Sequence, residues 1–181
     1  MFGYGSLMWQ PGFAFVERAP ALLHGYHRML SVYSHYYRGT PERPGLVLGL
    51  EPGGSCRGIA YRVAGMDALA TLAYLDAREI PHQVYRRRLV PIRVHAEGHG
   101  GKSATPRRVA AYTYVTVGDH VQYAGRLPME RCVELIVQGV GRTGTAHDYL
   151  ENTVDHLEAL GLRVPWLNRL RRAVRRRVNH G

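Results

Sequence analysis

Two short stretches of this chain carry residue types that can do chemistry. The first, Gly3-Tyr4-Gly5-Ser6-Leu7, places a glycine on each side of a tyrosine near the first residue of the sequence. Glycine lets a ligand lie directly against the backbone, and successive N–H groups at such a turn form a concavity that binds anions. The turn is therefore a candidate site for a carboxylate or an oxyanion, and the simpler interpretation is a plain strand-to-loop turn.

The second stretch, YLDAREIPHQVY (74–85), contains a glutamate at the expected end of a helix. Pro81 predicts that the helix ends near Glu79. The helix dipole at a C-terminal end and partial burial both raise the pKa of a carboxyl group, which suits a general base or acid that works near neutral pH. The alternative is a solvated glutamate paired with Arg78 or Arg86. Asp76 is expected on the solvent side.

Other catalytic chemistries find little support in the sequence. The histidine pairs His95/His99 and His24/His27 do not follow the HExxH pattern of zinc enzymes, and neither a GxSxG nor a GxxxxGK[ST] motif occurs. Cys56 has no evident His and Asn partners for a thiol nucleophile. We therefore predict no metal site.

Composition favours a globular protein of the reducing cytoplasm. The 181 residues are enough for one domain, and only two cysteines occur, Cys56 and Cys132, which we expect to be buried core residues. No apolar run approaches the roughly 20 residues that span a bilayer, and no signal peptide is recognisable. The sequence therefore predicts a cytoplasmic protein with no membrane association.

Strand-like segments come first and helical segments come later, an order typical of α+β folds with a curled sheet or small barrel flanked by helices. The helix before Glu79 is expected to pack through Leu69, Leu72, Ala73 and Leu75. We predict strands over 29–38, 45–51, 56–63, 84–95 and 107–117, a turn at 51–55, and helices over 68–79, 128–140, 147–160 and about 165–178. The whole chain, 1–181, is expected to form one domain.

The C-terminal helix is strongly basic, and the formal net charge of the chain is +10. Trp166, Leu170, Ala173 and Val174 are expected to face the protein body, and six arginines between 169 and 177 to face outward. A basic helix can bind nucleic-acid phosphates or an anionic surface. A solvated face is the simpler interpretation, so nucleic acid is not the expected partner, and binding through this helix stays an alternative of another functional class.

Taken together and in order, several segments resemble one enzyme family. They are FGYGSLMW, LLHGYHRMLSVYSHYYRGTPERPGLVLGL, GGSCRGIAYRV, YLDARE, VYRRRLVPI, AYTYV and the stretch from QYAGRLP to DHLEALG. The chain is similar to the ChaC-type, glutathione-specific γ-glutamylcyclotransferases over residues 1 to about 175. The YGSL turn and the glutamate of YLDxRE are the most specific parts of the match.

The resemblance implies a fold, a reaction and a set of residues. The fold is a small mixed β-barrel flanked by helices, and the reaction cleaves glutathione to 5-oxoproline and Cys-Gly without a metal or an organic cofactor. Glu79 corresponds to the catalytic carboxylate of the family. The turn formed by Tyr4, Gly5, Ser6 and Leu7 would hold the γ-glutamyl group, through its α-carboxylate or through the oxyanion of the reaction. Arg38 is a candidate for the glycine carboxylate, as is Arg43, and Tyr112 and Tyr149 are candidate hydroxyl donors.

The chain departs from the family pattern in two places. It reads Ile80-Pro81-His82 where many members have glycine after the glutamate, and Thr145 or Ala146 stands where many members have asparagine. If that asparagine position contacts Cys-Gly, the substrate can be another γ-glutamyl amine or dipeptide. This second cyclotransferase substrate class is therefore kept as an alternative.

Overall fold

The computed structural model describes residues 1–79, 83–95 and 105–180, so Pro81 and His99 lie outside the described residues. The strands are β1 (Phe2–Gly3), β2 (Glu17–Ser34), β3 (Gly45–Arg62), β4 (Tyr85–Val94), β5 (Arg107–Thr116), β6 (Val140–Gly141) and β7 (Gly144–Thr145). The helices are α1 (Ala68–Glu79), α2 (Met129–Gln138), α3 (Ala146–Ala159) and α4 (Pro165–Asn179).

The larger sheet has five strands in the order β1-β3-β2-β4-β5. β4 and β5 form an antiparallel hairpin whose register runs from Tyr85↔Thr116 to Val94↔Arg107. In the described residues, helices and strands are segregated along the chain, with three of the four α-helices after the last long strand. The predicted α+β class is confirmed.

The sheet stays open where the family resemblance implied a barrel. Within the described residues β1 and β5 stand at the two ends of the strand order. β1 has only two residues, too few for a ladder along β5. In its place the buried Thr113 hydroxyl of β5 donates a 3.0 Å hydrogen bond to the Phe2 carbonyl. A side chain thus joins the two ends of the sheet.

Two strands are longer than the sequence pattern predicted. β2 begins at Glu17, well before position 29, and β3 continues through the predicted turn at 51–55. Gly53 and Gly54 adopt φ values of +94° and +68°, a backbone conformation open to glycine. We therefore attribute the continuity of β3 to these glycines, which let the strand bend without ending.

The described chain divides into two compact units. The first comprises Met1–Arg28 and Leu50–Val117, and the second comprises Met29–Gly49 and Gly118–Gly181. In the first unit, Leu7, Leu75 and Tyr114 form a buried apolar cluster. In the second, α2, α3 and α4 pack against one another through buried leucines, isoleucine and valines. The single domain over 1–181 stays a prediction.

The helices of the described residues include none that is both long and apolar enough to cross a bilayer.

Candidate active site

Helix α1 presents Glu79 on its buried side. Leu75, one turn earlier, is fully buried and packs in the cluster with Leu7 and Tyr114. Residues four apart lie on the same face of a helix, so Glu79 lies on the side of α1 that faces the N-terminal turn. Helix α1 spans Ala68–Glu79 and Glu79 is the last described residue before position 83, so the predicted helix end near Pro81 stays a prediction.

Arg78 connects Glu79 to the N-terminal turn. Its Nε lies 3.2 Å from Glu79 Oε1, and its Nη2 donates a 3.0 Å hydrogen bond to Ser6 Oγ. Its Nη1 donates to the carbonyl of Gln10 at 2.9 Å. One guanidinium therefore contacts both the carboxylate and the turn that the sequence singled out.

Burial and the Arg78 charge act on the Glu79 carboxyl group in opposite directions. Its side chain is 20% exposed, and this burial raises the pKa of its carboxyl group. The neighbouring Arg78 charge acts in the opposite direction and offsets part of that shift. The alternative of a solvated glutamate is not found, although its pairing with Arg78 is.

The N-terminal turn is a 3₁₀ turn, Ser6–Met8, closed by a 2.9 Å hydrogen bond from the Met8 N–H to the Gly5 carbonyl. A Cβ on Gly3 would lie 3.0 Å from Leu7 Cβ. Glycine at position 3 therefore allows β1 to approach the turn closely.

Buried side chains bind the carbonyl oxygens of this turn. Arg28 donates through Nε to the Tyr4 carbonyl, and the Tyr61 hydroxyl lies 2.9 Å from the carbonyls of both Leu7 and Met8. The first N–H groups of a helical turn have no partner within the turn. Within the part of the chain that the structure describes, no hydrogen-bond partner is found for the N–H groups of Ser6 and Leu7.

Tyr112 lies on β5 at the border of this region. It is 36% exposed, and the guanidinium of Arg87 lies 5.3 Å from its ring centroid. Arg87 also forms an ion pair with Asp76, whose other carboxylate oxygen accepts a 2.8 Å hydrogen bond from the Tyr114 hydroxyl. The expectation that Asp76 is simply solvated is therefore wrong: packing of α1 against β4 and β5 gives it two partners.

The structure brings Arg38 and Tyr149 together in the second unit. The Arg38 guanidinium lies 5.6 Å from the Tyr149 ring centroid and donates a 2.7 Å hydrogen bond to the Thr143 carbonyl. The Tyr149 hydroxyl accepts a 3.3 Å hydrogen bond from the Leu48 N–H. Part of the hydrogen-bonding capacity of both side chains is thus used within the protein.

The two residues that stand where many family members have asparagine, Thr145 and Ala146, also have structural roles in this unit. Thr145 Oγ1 accepts a 2.9 Å hydrogen bond from the Asp148 N–H and so caps α3, and Ala146 is fully buried. Neither residue offers the free amide of an asparagine.

The sequence of this chain matches the ChaC-like protein family over residues 1–177. The chain belongs to the ChaC-like family. Among curated relatives, it is 31% identical to the γ-glutamylcyclotransferase 2-3 of Arabidopsis thaliana, a match that covers 90% of this chain and 81% of the relative. It is also 31% identical to the glutathione-specific γ-glutamylcyclotransferase of Escherichia coli K12, over 94% of this chain and 70% of that protein.

Solved structures place this ChaC-like protein in a known fold. The crystal structure of the yeast γ-glutamylcyclotransferase specific to glutathione superposes with a TM-score of 0.81 at 21% sequence identity, over 97% of both chains. The predicted fold family is therefore confirmed.

Sequence reasoning missed several residues that build the site of this ChaC-like protein. Arg28 and Tyr61 bind the carbonyls of the turn, and Tyr114 binds Asp76. The sequence named Arg78 only as a possible ion-pair partner of Glu79 and placed Asp76 on the solvent side, so their contacts with Ser6 and Tyr114 were also missed. Arg28 had one available signal, because it is a charged residue within an apolar strand, where burial requires hydrogen-bond partners. Tyr61 and Tyr114 gave no such signal, since buried tyrosines are common in strands.

The two other candidate chemistries are metal binding and catalysis by a cysteine thiol. Residues 1–79, 83–95 and 105–180 contain no group of three or more His, Cys, Asp or Glu arranged to hold a metal ion. Cys56 and Cys132 are free and buried, as predicted, and burial raises the pKa of both thiols. A raised pKa keeps a thiol protonated and poorly nucleophilic.

Helix α4 divides its arginines between two faces. Arg171 pairs with Asp155 and Glu158 of α3, and Arg175 pairs with Glu151. Leu167, Leu170 and Val174 are buried. The remaining arginines are exposed, and no acidic partner is found for them in the described part of the chain: Arg169, Arg172, Arg176 and Arg177.

Proposed function

We propose that this chain is a γ-glutamylcyclotransferase that cleaves glutathione to 5-oxoproline and Cys-Gly. The observation that carries the proposal is the partly buried Glu79 carboxylate, joined through Arg78 to Ser6 of the N-terminal turn, in a chain of the ChaC-like family. The names of its curated relatives support the same activity.

The proposed reaction is an intramolecular attack. The α-amine of the γ-glutamyl group forms a bond to its own side-chain carbonyl carbon, and the bond from that carbon to the cysteine nitrogen breaks. Two protons leave the attacking nitrogen and two arrive on the departing nitrogen, so Cys-Gly leaves as an ammonium. Water takes no part, and the substrate supplies its own nucleophile.

Glu79 is the group that moves these protons. The substrate α-amine is an ammonium at neutral pH and attacks only after deprotonation, and the amide nitrogen leaves only when it is protonated. A carboxylate whose pKa is raised by burial can accept a proton from the ammonium and return it to the leaving nitrogen. Such positioned proton transfer contributes about 10²- to 10⁴-fold to the rate.

The turn formed by Tyr4, Gly5, Ser6 and Leu7 holds the γ-glutamyl group against Glu79. The N–H groups of Ser6 and Leu7, for which the described residues offer no partner, are its donors to an anionic oxygen. If these donors meet the tetrahedral oxyanion, each contributes on the order of 3 kcal/mol to the transition state. If they meet the α-carboxylate, they hold the amine near the carbonyl it attacks. Tyr112, Arg38 and Tyr149 stay predicted substrate-binding residues.

A product assay tests the proposal. Purified protein with glutathione should release Cys-Gly and 5-oxoproline in equal amounts, with EDTA present, at a rate proportional to enzyme concentration. Release of free glutamate in place of 5-oxoproline would identify a hydrolase and overturn the cyclisation.

The same assay decides between the two substrate classes. Thr145 caps α3 and Ala146 is buried, so neither supplies the side-chain amide that asparagine has at this position in many family members. Other γ-glutamyl amines and dipeptides should therefore be assayed beside glutathione. A higher kcat/KM for one of these substrates would replace glutathione as the assigned substrate and keep the reaction class.

A further inference from the structure

A second acidic residue lies beside Glu79 on helix α1. Asp76 precedes Glu79 by three positions, and residues at that spacing have Cβ atoms about 5–6 Å apart on one side of a helix. Asp76 Oδ1 accepts a 2.8 Å hydrogen bond from the Tyr114 hydroxyl, and Asp76 Oδ2 lies 2.5 Å from Arg87 Nη1. Both carboxylate oxygens therefore have defined partners.

The phenol of Tyr114 is fixed by its surroundings. The residue is 2% exposed and packs in the cluster with Leu7 and Leu75, which links it to the N-terminal turn and to α1. A phenol has one proton to donate, and here that proton points to Asp76. Toward any other group the Tyr114 oxygen can act only as an acceptor.

Arg87 secures this arrangement from the neighbouring strand. Arg87 of β4 is the registered partner of Tyr114 of β5, so its guanidinium reaches Asp76 beside the phenol. Arg87 donates to Asp76 Oδ2, which leaves Oδ1 as the acceptor of the Tyr114 hydroxyl. The charged groups around the phenol are thus Asp76 and Glu79 of α1 and Arg87 of β4.

We infer that Asp76 is a positioning residue for the cyclotransferase reaction: it holds the Tyr114 proton and thereby presents the phenol oxygen as a hydrogen-bond acceptor beside Glu79. The cation that such an acceptor fits is the substrate α-ammonium. This inference rests on the proposed function, and it adds a residue pair, Asp76 and Tyr114, that orients the amine whose proton Glu79 takes.

The acid–base state of Tyr114 agrees with this role. Burial, the hydrogen bond to Asp76 and the Asp76 and Glu79 charges all raise the pKa of the phenol, while Arg87 acts in the opposite direction. Tyr114 therefore stays protonated at neutral pH and keeps donating to Asp76.

A double-mutant cycle on kcat/KM for glutathione tests the inference. We expect Asp76→Asn and Tyr114→Phe each to lower kcat/KM by about 10- to 100-fold, the range for a hydrogen bond to a charged group. Because Asp76 acts only through Tyr114, the double variant should be no worse than Tyr114→Phe alone. Asp76→Glu, which retains the acceptor, should recover part of the loss. Asp67→Asn, an exposed acid-to-amide change just before α1, is the matched control and should keep wild-type activity.

Full activity of folded Asp76→Asn, or losses that multiply in the double variant, would overturn the inference. If Asp76→Asn does not fold, Arg87→Gln replaces it in the same cycle and must show the same coupling to Tyr114→Phe. An inactive wild type would overturn the proposed function itself, whereas an active wild type with an unaffected Asp76→Asn variant overturns only the positioning role.

Discussion

Arg78 Nη2 donates a 3.0 Å hydrogen bond to the hydroxyl of Ser6, a residue 72 positions earlier in the chain. The same guanidinium lies 3.2 Å from the Glu79 carboxylate. The N-terminal turn and the end of α1 are therefore held in a fixed relation by one side chain.

Replacing Glu79 should remove turnover and leave the fold intact. Glu79→Gln keeps the size of the side chain but cannot accept a proton, so we expect kcat to fall by about 10²- to 10⁴-fold. The measurement is 5-oxoproline release beside a thermal unfolding scan. Glu130→Gln, an exposed glutamate of α2, is the control. An active Glu79→Gln variant would show that the proton acceptor has been assigned incorrectly.

Removing the Arg78 charge should shift the pH dependence of the reaction. The Arg78 guanidinium lowers the pKa of Glu79 against the larger effect of burial. In Arg78→Met the pKa of Glu79 should rise further, so the ascending limb of kcat/KM should move to higher pH. Arg78→Lys restores the charge and should return the limb toward its wild-type position. An unchanged limb in Arg78→Met would contradict the assignment of that limb to Glu79.

The raised pKa of Glu79 also predicts a pH-dependent stability. Between its ordinary value of 4.5 and its raised value in the fold, the folded state binds more protons at this site than the unfolded state. The contribution of Glu79 to the free energy of unfolding is therefore fully present below 4.5 and is lost as the pH rises through the raised pKa.

Denaturant unfolding of wild type and Glu79→Gln across this range measures the effect. Wild type should lose stability relative to the variant as the pH increases, because glutamine does not titrate. A difference that stays constant with pH would mean that the Glu79 pKa is the same in both states.

Gly3 should resist even the smallest side chain. An added Cβ would lie 3.0 Å from Leu7 Cβ and 3.4 Å from the Met8 nitrogen, so in Gly3→Ala the turn must yield by a few tenths of an ångström. Overpacking of this kind costs about 1–3 kcal/mol. Gly65→Ala is the control, because a Cβ there meets nothing within 4 Å. Equal unfolding midpoints for both variants would show that the turn adjusts freely.

The exposed arginines of α4 should be dispensable for the reaction. Arg169, Arg172 and Arg176 recur at a spacing that places them opposite the buried Leu170 and Val174. We expect the Arg169/Arg172/Arg176/Arg177→Gln variant to cleave glutathione at the wild-type rate. These substitutions are preferable to truncation, which would remove buried leucine and valine side chains.

The same variant tests nucleic-acid binding through α4. Its matched control replaces four exposed arginines of the first unit by glutamine: Arg57, Arg88, Arg93 and Arg108. If α4 is a solvated face, both variants should bind heparin and single-stranded RNA equally. A salt-dependent loss confined to the α4 variant would instead support the binding alternative.

Some features of the site could be predicted because they follow from local rules. A helix that reaches Glu79 follows from the pattern before it, and the glycine turn follows from the spacing of Gly3 and Gly5. The buried face of α1 was predicted incorrectly in part: Leu69 is 83% exposed, whereas Thr71 is buried with Leu75. The packed face of α1 contains Thr71, Leu75 and Glu79. A search for apolar residues at helical spacing does not find this face, because two of its three residues are polar.

Long-range partners could not be predicted from local patterns. The Arg78–Ser6 hydrogen bond and the Asp76–Tyr114 pair join residues that only the register of β4 and β5 and the packing of α1 bring together. The family resemblance identified Glu79 and the turn but gave no reason to single out Arg78 or Asp76. The closed barrel that the resemblance implied is not found in the described residues, because β1 has only two residues and the glycine-rich start of the sequence does not indicate that length.

The burial of Cys56 and Cys132 has a consequence for an enzyme whose substrate and product both carry a thiol. Glutathionylation proceeds through a thiolate that attacks an accessible disulfide, and here both thiols are enclosed and held in the protonated form. Oxidised glutathione that accumulates beside the substrate should therefore leave the protein unmodified. The enzyme should thus degrade glutathione without forming a mixed disulfide with it.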